Sequence, residues 1–246
     1  MTDKDIAENG LIFKCYAGSR LFGLETENSD TDIFGVCVEP LSHVIGLNSF
    51  EQYHFQSHPD GTRASKDDVE GTIYSLRKFV RLAMQGNPTI ILPLFAPNNM
   101  VLREDFVWTW LRDNRDFLLS KNVGARFLGY SRSQSHDIVE RKTRPELVEA
   151  YGYDTKAASH MVRLLVQCFE LLVDGTITLP MPEETRKYIL DIKLGKISEE
   201  EVFERTTSLE KSIEAQILVT SLPDKPDYEK ANKFLINAYV KSGPGW

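Results

Sequence analysis

The sequence predicts an α+β fold, in which a small mixed sheet in the first hundred residues is followed by a mainly helical C-terminal part. Two observations lead to this prediction. Short apolar or alternating segments, bounded by Gly, Asp and Pro, fall in the first third of the chain, and amphipathic helical patterns dominate after about residue 100. We expect two domains packed together without a flexible linker, at residues 1–100 and 101–246.

Strand patterns explain the first of these observations. Residues 11–17 (LIFKCYA) form an apolar, β-capable run that Gly18-Ser19 interrupts, so we expect a strand, a tight turn and a short helix. Residues 31–38 alternate in the manner of a second strand, which two acidic residues open. Further strands are predicted at residues 51–56 and 70–74.

Helical patterns explain the second observation. A helix is predicted from Ser75 to about Gly86, and Asn87-Pro88 is typical of the start of another, because proline suits a first helical position. The later amphipathic stretches predict helices near residues 103–119, 155–173, 183–194, 198–220 and 227–241.

Composition excludes several classes of protein. The 246 residues are 41% hydrophobic and 26% charged, as in an ordinary globular protein. A net charge of −7 argues against coating nucleic acid through bulk positive charge, so any such contact would be local.

The polar N-terminus and the lack of a run of about 20 apolar residues predict a cytoplasmic protein with no membrane partner. Cys15, Cys37 and Cys168 lie far apart, which predicts buried thiols and no structural zinc.

Asp30 and Asp32 are candidate metal ligands. Residues at i and i+2 of a strand point to the same face, so these carboxylates would lie side by side. Mg²⁺ favours such oxygen ligands and completes its shell with water and substrate phosphates. Two ions, Mg²⁺ or Mn²⁺, are expected, as two-metal phosphoryl transfer requires.

Gly18, Ser19 and Arg20 are candidate nucleotide-binding residues. Gly18 permits a tight turn after the first strand, and the following amides and the Ser19 hydroxyl would cradle phosphates at a helix N-terminus. We therefore expect the phosphate cradle and the metal ligands to face one another.

The segment GSRLFGLETENSDTDIFGV resembles the signature of DNA polymerase beta-like nucleotidyltransferases. That signature has an apolar residue, Gly, Gly or Ser, about ten residues, and then Asp-apolar-Asp/Glu-apolar. Thr31 departs from it, being polar where the family is commonly apolar. With YSLRKFVRLAMQGNPTIILPLF, the segment is also similar to a bacterial and phage branch of predicted nucleotidyltransferases associated with RNA repair. The similarity is clearest over residues 11–97 and returns weakly at residues 153–175.

The resemblance implies a third carboxylate on a later strand, which would bind the catalytic ion and activate the attacking hydroxyl. Glu70 is our choice, because it lies four residues before Tyr74, where relatives of this branch carry an acid. Asp68 is the alternative. Both share a strand face, whereas Asp67 would point the other way, so geometry leaves two candidates.

Lys156, His160 and Arg163 are further candidates for binding the nucleotide. They lie together on a predicted helix beside its apolar stripe, where they would contact the triphosphate or the acceptor backbone, or form a solvated helix face. Tyr130 offers a stacking surface in a second basic region that is either solvated or a contact with nucleic acid. That region contains Arg126, Arg132, Arg141, Lys142 and Arg144.

Two histidines four residues apart, His54 and His58, have no Glu base or third ligand between them, so we interpret them as strand or loop residues. No Ser-His-Asp, Cys-His, Walker or GxGxxG pattern stands out, which disfavours those enzyme classes.

The prediction from sequence is an ATP- or other NTP-binding transferase with roles for Asp30, Asp32 and Glu70. It would transfer a nucleoside monophosphate to an acceptor hydroxyl, with an RNA 3′ end favoured, and release pyrophosphate. The alternatives are a catalytically silent nucleotide- or protein-binding relative, such as an antitoxin or regulatory module, transfer to a protein or small molecule, and a nuclease or phosphatase. The sequence does not indicate an oligomeric state.

Overall fold

The computed structural model describes residues 1–27, 29–62, 64–140 and 144–241. Helices and a mixed sheet make up the fold, with a helical part after residue 121, and this confirms the predicted α+β class. The elements are α1 (Asp3–Asn9), β1 (Leu11–Tyr16), α2 (Gly18–Phe22), β2 (Thr31–Cys37), α3 (Leu41–Val44), β3 (Gln52–Gln56), β4 (Val69–Ser75), α4 (Leu76–Met84), α5 (Pro88–Ile91), β5 (Val101–Glu104), α6 (Phe106–Asp113), α7 (Asn122–Val139), α8 (Pro145–Tyr151), α9 (Thr155–Asp174), α10 (Glu183–Lys193), α11 (Glu199–Val219) and α12 (Tyr228–Lys241).

The sheet has the strand order β3-β4-β2-β1-β5. Its central pair, β2 and β4, is parallel, and every other pair is antiparallel. A parallel pair needs a crossover connection, because the chain must return to the end at which it started. Residues 38–68 form this crossover and contribute α3 and the edge strand β3 on the way.

The chain divides into two compact units. Unit 1 comprises residues 1–84, 89–118 and 226–246, and unit 2 comprises residues 85–88 and 119–225. Unit 1 therefore holds the whole sheet together with α12, which is distant in sequence. The predicted domains, at residues 1–100 and 101–246, stay a prediction.

The core of unit 1 packs on both faces of the sheet. On one face, Trp108 of α6 stacks on Phe13 of β1, with ring centroids 3.8 Å apart, and meets Phe79 of α4 edge-on at 5.1 Å. All three side chains are fully buried. On the other face, Ile6 of α1 packs with Cys37, Phe50 and Ile73. These contacts hold the strands that carry the candidate site.

Unit 2 is built around α9, which buries most of one side along its whole length. Asp154 begins this helix: its Oδ1 accepts from the amide of Ala157 at 2.9 Å, and its Oδ2 accepts from Arg144 at 3.0 Å. The carboxylate is 1% exposed, so the guanidinium and the helix amide supply the partners that a buried charge requires. The three cysteines, Cys15 and Cys37 in unit 1 and Cys168 in unit 2, are free and buried, as predicted.

Several elements differ from those predicted. The prediction of a helix at residues 103–119 is wrong at its start. Val101–Glu104 pairs with β1 as an edge strand, and α6 begins only at Phe106. Four residues are too few to show an alternating pattern. Asp105 makes the break, since its carboxylate accepts from the first amides of α6 and caps the helix. The helices α1, α3, α7 and α8 were not predicted.

Among the described residues, no helix combines the length and the apolar character that spanning a bilayer would need.

We expect Trp108→Ala to lower the free energy of unfolding by about 3–5 kcal/mol, because it removes a buried ring that two other aromatic rings contact. Urea denaturation followed by circular dichroism measures this. Trp110→Ala is the matched control: its ring is 43% exposed, so the loss should be clearly smaller. Equal losses in the two variants would contradict the proposed packing.

Candidate active site

Three carboxylates meet at one end of the parallel pair β2–β4. Asp30 directly precedes β2, Asp32 is the second residue of that strand, and Asp32 pairs in register with Glu70 of β4. One ligand atom from each lies within 4.8 Å of the others, and all three residues are half-buried. Carboxylates this close repel one another when ionised, and a cation between them removes the repulsion. Their hard oxygen donors fit Mg²⁺ or Mn²⁺.

Gly18 lies directly against this cluster. Its φ is +53°, and a Cβ placed on it would stand 1.6 Å from Oδ2 of Asp32. The neighbouring amide of Ala17 donates to the carbonyl of Asp32 at 2.8 Å. Both the left-handed backbone and the close approach therefore require glycine here. The structure thus brings together the turn and one of the acids that the sequence predicts to face each other.

Ser19 and Arg20 follow Gly18 in the first turn of α2. Ala17 precedes this turn and provides no side-chain cap for its amides. The Arg20 guanidinium lies 3.8 Å from the centre of the Tyr16 ring, and its Nε is 3.8 Å from a carboxylate oxygen of Glu25. The arginine is held beside the turn while its side chain stays 42% exposed.

The two candidates for the third acid have different surroundings. Asp68 accepts from the Ser57 hydroxyl at 2.7 Å, and from the amide and hydroxyl of Ser65 at 2.8 and 2.7 Å. These bonds, those of Ser65 first, lower the pKa of Asp68 to about 2. Asp68 therefore ties together the two ends of the loop before β4, whereas Glu70 stands in the cluster with Asp30 and Asp32.

His58 contacts Glu70, which sequence reasoning did not foresee. Its Nε2 lies 3.2 Å from Oε2 of Glu70, and its Nδ1 lies 3.2 Å from the carbonyl of Pro59. The Glu70 carboxylate accepts, so Nε2 of His58 donates to it, while Nδ1 also lies 3.2 Å from the Thr62 hydroxyl. The bond to Glu70, followed by the bond to Pro59, raises the pKa of His58.

A row of polar side chains extends from Glu70 toward the edge of the sheet. In the β3–β4 pairing, Gln56 lies opposite Glu70 and His54 lies opposite Thr72. Residues two apart on a strand share a face, so one face of the sheet carries all of these side chains and that of Gln52. The set is Gln52, His54, Gln56, Glu70 and Thr72. His54 and Gln56 are exposed. We call this set the β3 polar row.

The hydrogen bonds of the β3 polar row have one consistent direction. Lys78 donates from Nζ to Oε1 of Gln52 at 2.7 Å, and the amide nitrogen of Gln52 contacts Nε2 of His54. If the amide donates, Nε2 of His54 accepts, and Nδ1 carries the proton that is donated to Oγ1 of Thr72 at 2.8 Å. This order leaves the hydroxyl proton of Thr72 available to donate to a further acceptor.

The predicted C-terminal residues lie on α9 in unit 2. Lys156 and His160 are exposed, whereas Arg163 is 8% exposed and donates to Oε1 of Gln167 at 2.8 Å. Burial lowers the pKa of Arg163 to about 9, so it stays charged at neutral pH. Desolvation by the surrounding protein lowers the pKa of His160 to about 4, and the charges of Arg163, Arg144 and Lys156 add to this effect. At neutral pH His160 can therefore offer a hydrogen bond but no positive charge.

The second basic region is partly neutralised inside unit 2. Arg132 of α7 pairs with Glu210 at 3.2 Å and with Glu214 at 2.6 Å, and both carboxylates belong to α11. Arg126 donates to the carbonyl of Gln85, and the Tyr130 hydroxyl accepts from Asn87. Arg141 and Lys142 lie outside the described residues.

Comparison with known proteins adds to this geometry. Residues 4–237 match the RNA repair pathway DNA polymerase beta family, which is nearly the whole chain. The chain belongs to this family. Membership in the RNA repair pathway DNA polymerase beta family confirms the resemblance drawn from the Gly-Ser and Asp-Thr-Asp segments.

Individual relatives are more distant. Over 126 residues the chain is 31% identical to an uncharacterized 38.9 kDa protein of Enterobacteria phage T4, from the nrdC-mobD intergenic region. The match covers 50% of this chain and 37% of the phage protein, so it spans little over a third of that relative. A crystal structure of a nucleotidyltransferase-like protein from Exiguobacterium sibiricum aligns over 97% of this chain and 77% of its own, with 12% identity and a TM-score of 0.31.

Gly18→Ala should abolish divalent-ion binding, because the new methyl group would displace the Asp32 carboxylate. Titration with Mn²⁺, followed by electron paramagnetic resonance, measures the loss. The control is Gly175→Ala, which has a similar positive φ of 67° but open space around its Cβ position. Both variants should lose about 1–2 kcal/mol of stability from backbone strain. Unchanged Mn²⁺ binding in Gly18→Ala would contradict the role of the close approach.

Proposed function

We propose that this protein transfers a nucleoside monophosphate from an NTP, such as ATP, to an acceptor hydroxyl, and that the acceptor is the 3′ end of an RNA. Pyrophosphate is the leaving group. The observation that carries the proposal is the set of three carboxylates within 4.8 Å, with Gly18 against one of them. Family membership supports the nucleotide substrate, and the description of the family favours RNA.

Asp30, Asp32 and Glu70 would hold two divalent cations, Mg²⁺ or Mn²⁺, and these would lower the pKa of the attacking hydroxyl and neutralise charge on the leaving pyrophosphate. Glu70 acts in addition as the base that takes the proton of the acceptor hydroxyl. We assign this role to Glu70 rather than Asp68, because three hydrogen bonds already engage the Asp68 carboxylate in the loop.

The nucleotide is proposed to lie on the Gly18 side of the carboxylates. The amides after Gly18 and the hydroxyl of Ser19 would donate to the β- and γ-phosphates, and Arg20 would add positive charge beside them. For Lys156, His160 and Arg163 of unit 2, a role in binding the nucleotide stays a prediction from the sequence.

The acceptor is proposed to lie on the other side, along the β3 polar row. The base Glu70 must stand next to the attacking hydroxyl, and the side chains that continue outward from Glu70 on the same face are those of this row. With His54 donating to it, the Thr72 hydroxyl would have a proton to donate, and a ribose or phosphate oxygen of the acceptor would accept it.

The reaction class is tested by incubating the protein with Mg²⁺, each labelled NTP in turn and a short single-stranded RNA. Release of pyrophosphate with a labelled, lengthened RNA supports the proposal. Pyrophosphate release with only protein or small-molecule acceptors would overturn the RNA assignment. NTP binding without turnover would indicate a silent relative, and RNA cleavage without NTP would indicate a nuclease.

Asp32→Asn should lower the rate of nucleotide transfer by about two to three orders of magnitude, because it removes a charged ligand at the reacting phosphate. Excess EDTA should abolish the wild-type rate, and added Mg²⁺ should restore it. Asp68→Asn, at the residue directly before β4, is the matched control and should keep most of the activity. Stronger inactivation of Asp68→Asn than of Glu70→Gln would reverse the assignment of the third acid.

Thr72→Val should raise the KM for the RNA acceptor about 5-fold and leave the KM for the NTP unchanged, because it removes one hydrogen bond on the acceptor side. Steady-state kinetics with each substrate varied in turn separates the two constants. Thr207→Val on α11 is the control, since its hydroxyl bonds only the helix carbonyl of Phe203 among the described contacts. A rise in the KM for the NTP alone would place the row on the nucleotide side.

A further inference from the structure

A second concave surface lies in unit 1, in a groove between α6 and α12. The groove encloses about 490 Å³. Its main side chains are Phe106 and Trp110 of α6, and Lys230, Lys233, Phe234 and Asn237 of α12. None of these residues belongs to the carboxylate site or to the β3 polar row. We call this surface the α6–α12 groove.

Aromatic rings in the groove are exposed to solvent. Phe106 is 68% exposed, and Trp110 is 43% exposed although it stacks on Phe234 with an interplanar angle of 7° and centroids 5.3 Å apart. Large apolar side chains that cluster in a concave site indicate a binding surface, because their exposure costs free energy that a ligand would recover. Flat, parallel rings in particular favour a ligand that is itself flat.

Positive charge borders the same rings. Lys230 and Lys233 are three residues apart on α12 and so share one side of the helix. The ammonium of Lys230 lies 5.4 Å from the centre of the Phe117 ring, which holds it near the aromatic cluster. None of the described residues that line the groove is acidic, although the chain carries a net charge of −7. The groove is thus complementary to a ligand that combines an aromatic ring with negative charge.

The volume of the groove favours a small aromatic ligand over a peptide helix. A groove of about 490 Å³ is the size of a pocket for a small ligand, and an amphipathic peptide helix would need a longer row of apolar anchor sites. One or two nucleobases fit this volume, with their phosphates beside the lysines. Stacking on exposed aromatic rings and a basic border are the two features by which proteins hold single-stranded nucleic acid.

We propose that the α6–α12 groove is a binding site for single-stranded nucleic acid, in which a base stacks against Trp110 and flanking phosphates contact Lys230 and Lys233. The choice of RNA over DNA rests on the proposed function. The groove would hold the body of the acceptor strand at a place separate from the residues that carry out the chemistry.

Fluorescence anisotropy of a fluorescein-labelled, single-stranded 12-nucleotide RNA, titrated with the full chain, tests the proposal. Trp110→Ala should raise the Kd roughly 5-fold or more, as expected for the loss of one stacked base. Tyr151→Ala removes a side chain that is equally exposed, at 44%, in unit 2 and should leave the Kd unchanged. Phe106→Ser changes a ring that contributes little to the core, so it keeps the test valid should Trp110→Ala fail to fold. An unchanged Kd in Phe106→Ser and in a folded Trp110→Ala would overturn the proposal.

Salt dependence tests the lysines. In Lys230→Gln/Lys233→Gln, the slope of log Kd against log salt should decrease by about 1.4, because each phosphate contact on a single strand contributes about 0.7. Lys187→Gln/Lys211→Gln removes the same charge from exposed positions in unit 2 and is the control. Equal slopes in the two double variants would overturn the proposed phosphate contacts.

Two further outcomes separate this proposal from the proposed function, and two others would overturn the nucleic-acid assignment of the groove. RNA binding through the groove without pyrophosphate release would leave the groove standing and overturn the enzymatic function. Nucleotide transfer to RNA together with an unchanged Kd in all groove variants would support the enzymatic function and overturn the groove as a binding site. Absence of RNA binding by the wild-type chain would overturn the nucleic-acid assignment of the groove. The same holds if sedimentation shows that the wild-type chain binds a second copy of itself and that Trp110→Ala does not.

Discussion

Three negative side chains held within 4.8 Å of one another are the constraint on which the candidate site depends. No local segment can impose this geometry, because Asp30 and Asp32 come from one strand and Glu70 comes from another, some 40 residues later. The parallel pairing of β2 with β4 fixes the register that sets Asp32 beside Glu70. The antiparallel pairing of β1 with β2 then brings Gly18 against Asp32. Aromatic packing of α4 and α6 beneath the sheet keeps these strands in register against the repulsion.

Local pattern was enough to predict the parts of the site that lie within one segment. Strand alternation placed Asp30 and Asp32 on one face, and the turn after an apolar strand predicted Gly18 as a conformational requirement. Glu70 needed more than pattern, because its place in the cluster comes from pairing between strands distant in sequence. The separation from Asp68 also needed the structure, since only the bonds to Ser57 and Ser65 distinguish two acids that share a strand face.

The neighbours of Glu70 were beyond the reach of sequence reasoning for a related reason. His58 reaches the carboxylate because the crossover between two parallel strands folds back beside it. Its position two residues after Gln56 in the sequence does not indicate this contact.

The helix α7 was missed because glycine and polar residues weaken its amphipathic pattern, and its stability comes from packing within unit 2 instead of intrinsic propensity. Strand β5 was missed because a four-residue edge strand shows no period.

The return of α12 to unit 1 has a consequence for how the protein is made. The amide of Arg77 donates to the hydroxyl of Tyr239, and Phe234 completes the aromatic cluster of Trp110 and Phe117. A ribosome delivers these partners only after the whole of unit 2 has emerged. Unit 2 can therefore fold during synthesis, whereas the unit that carries the carboxylates waits, with its α6 rings uncovered, until α12 has emerged.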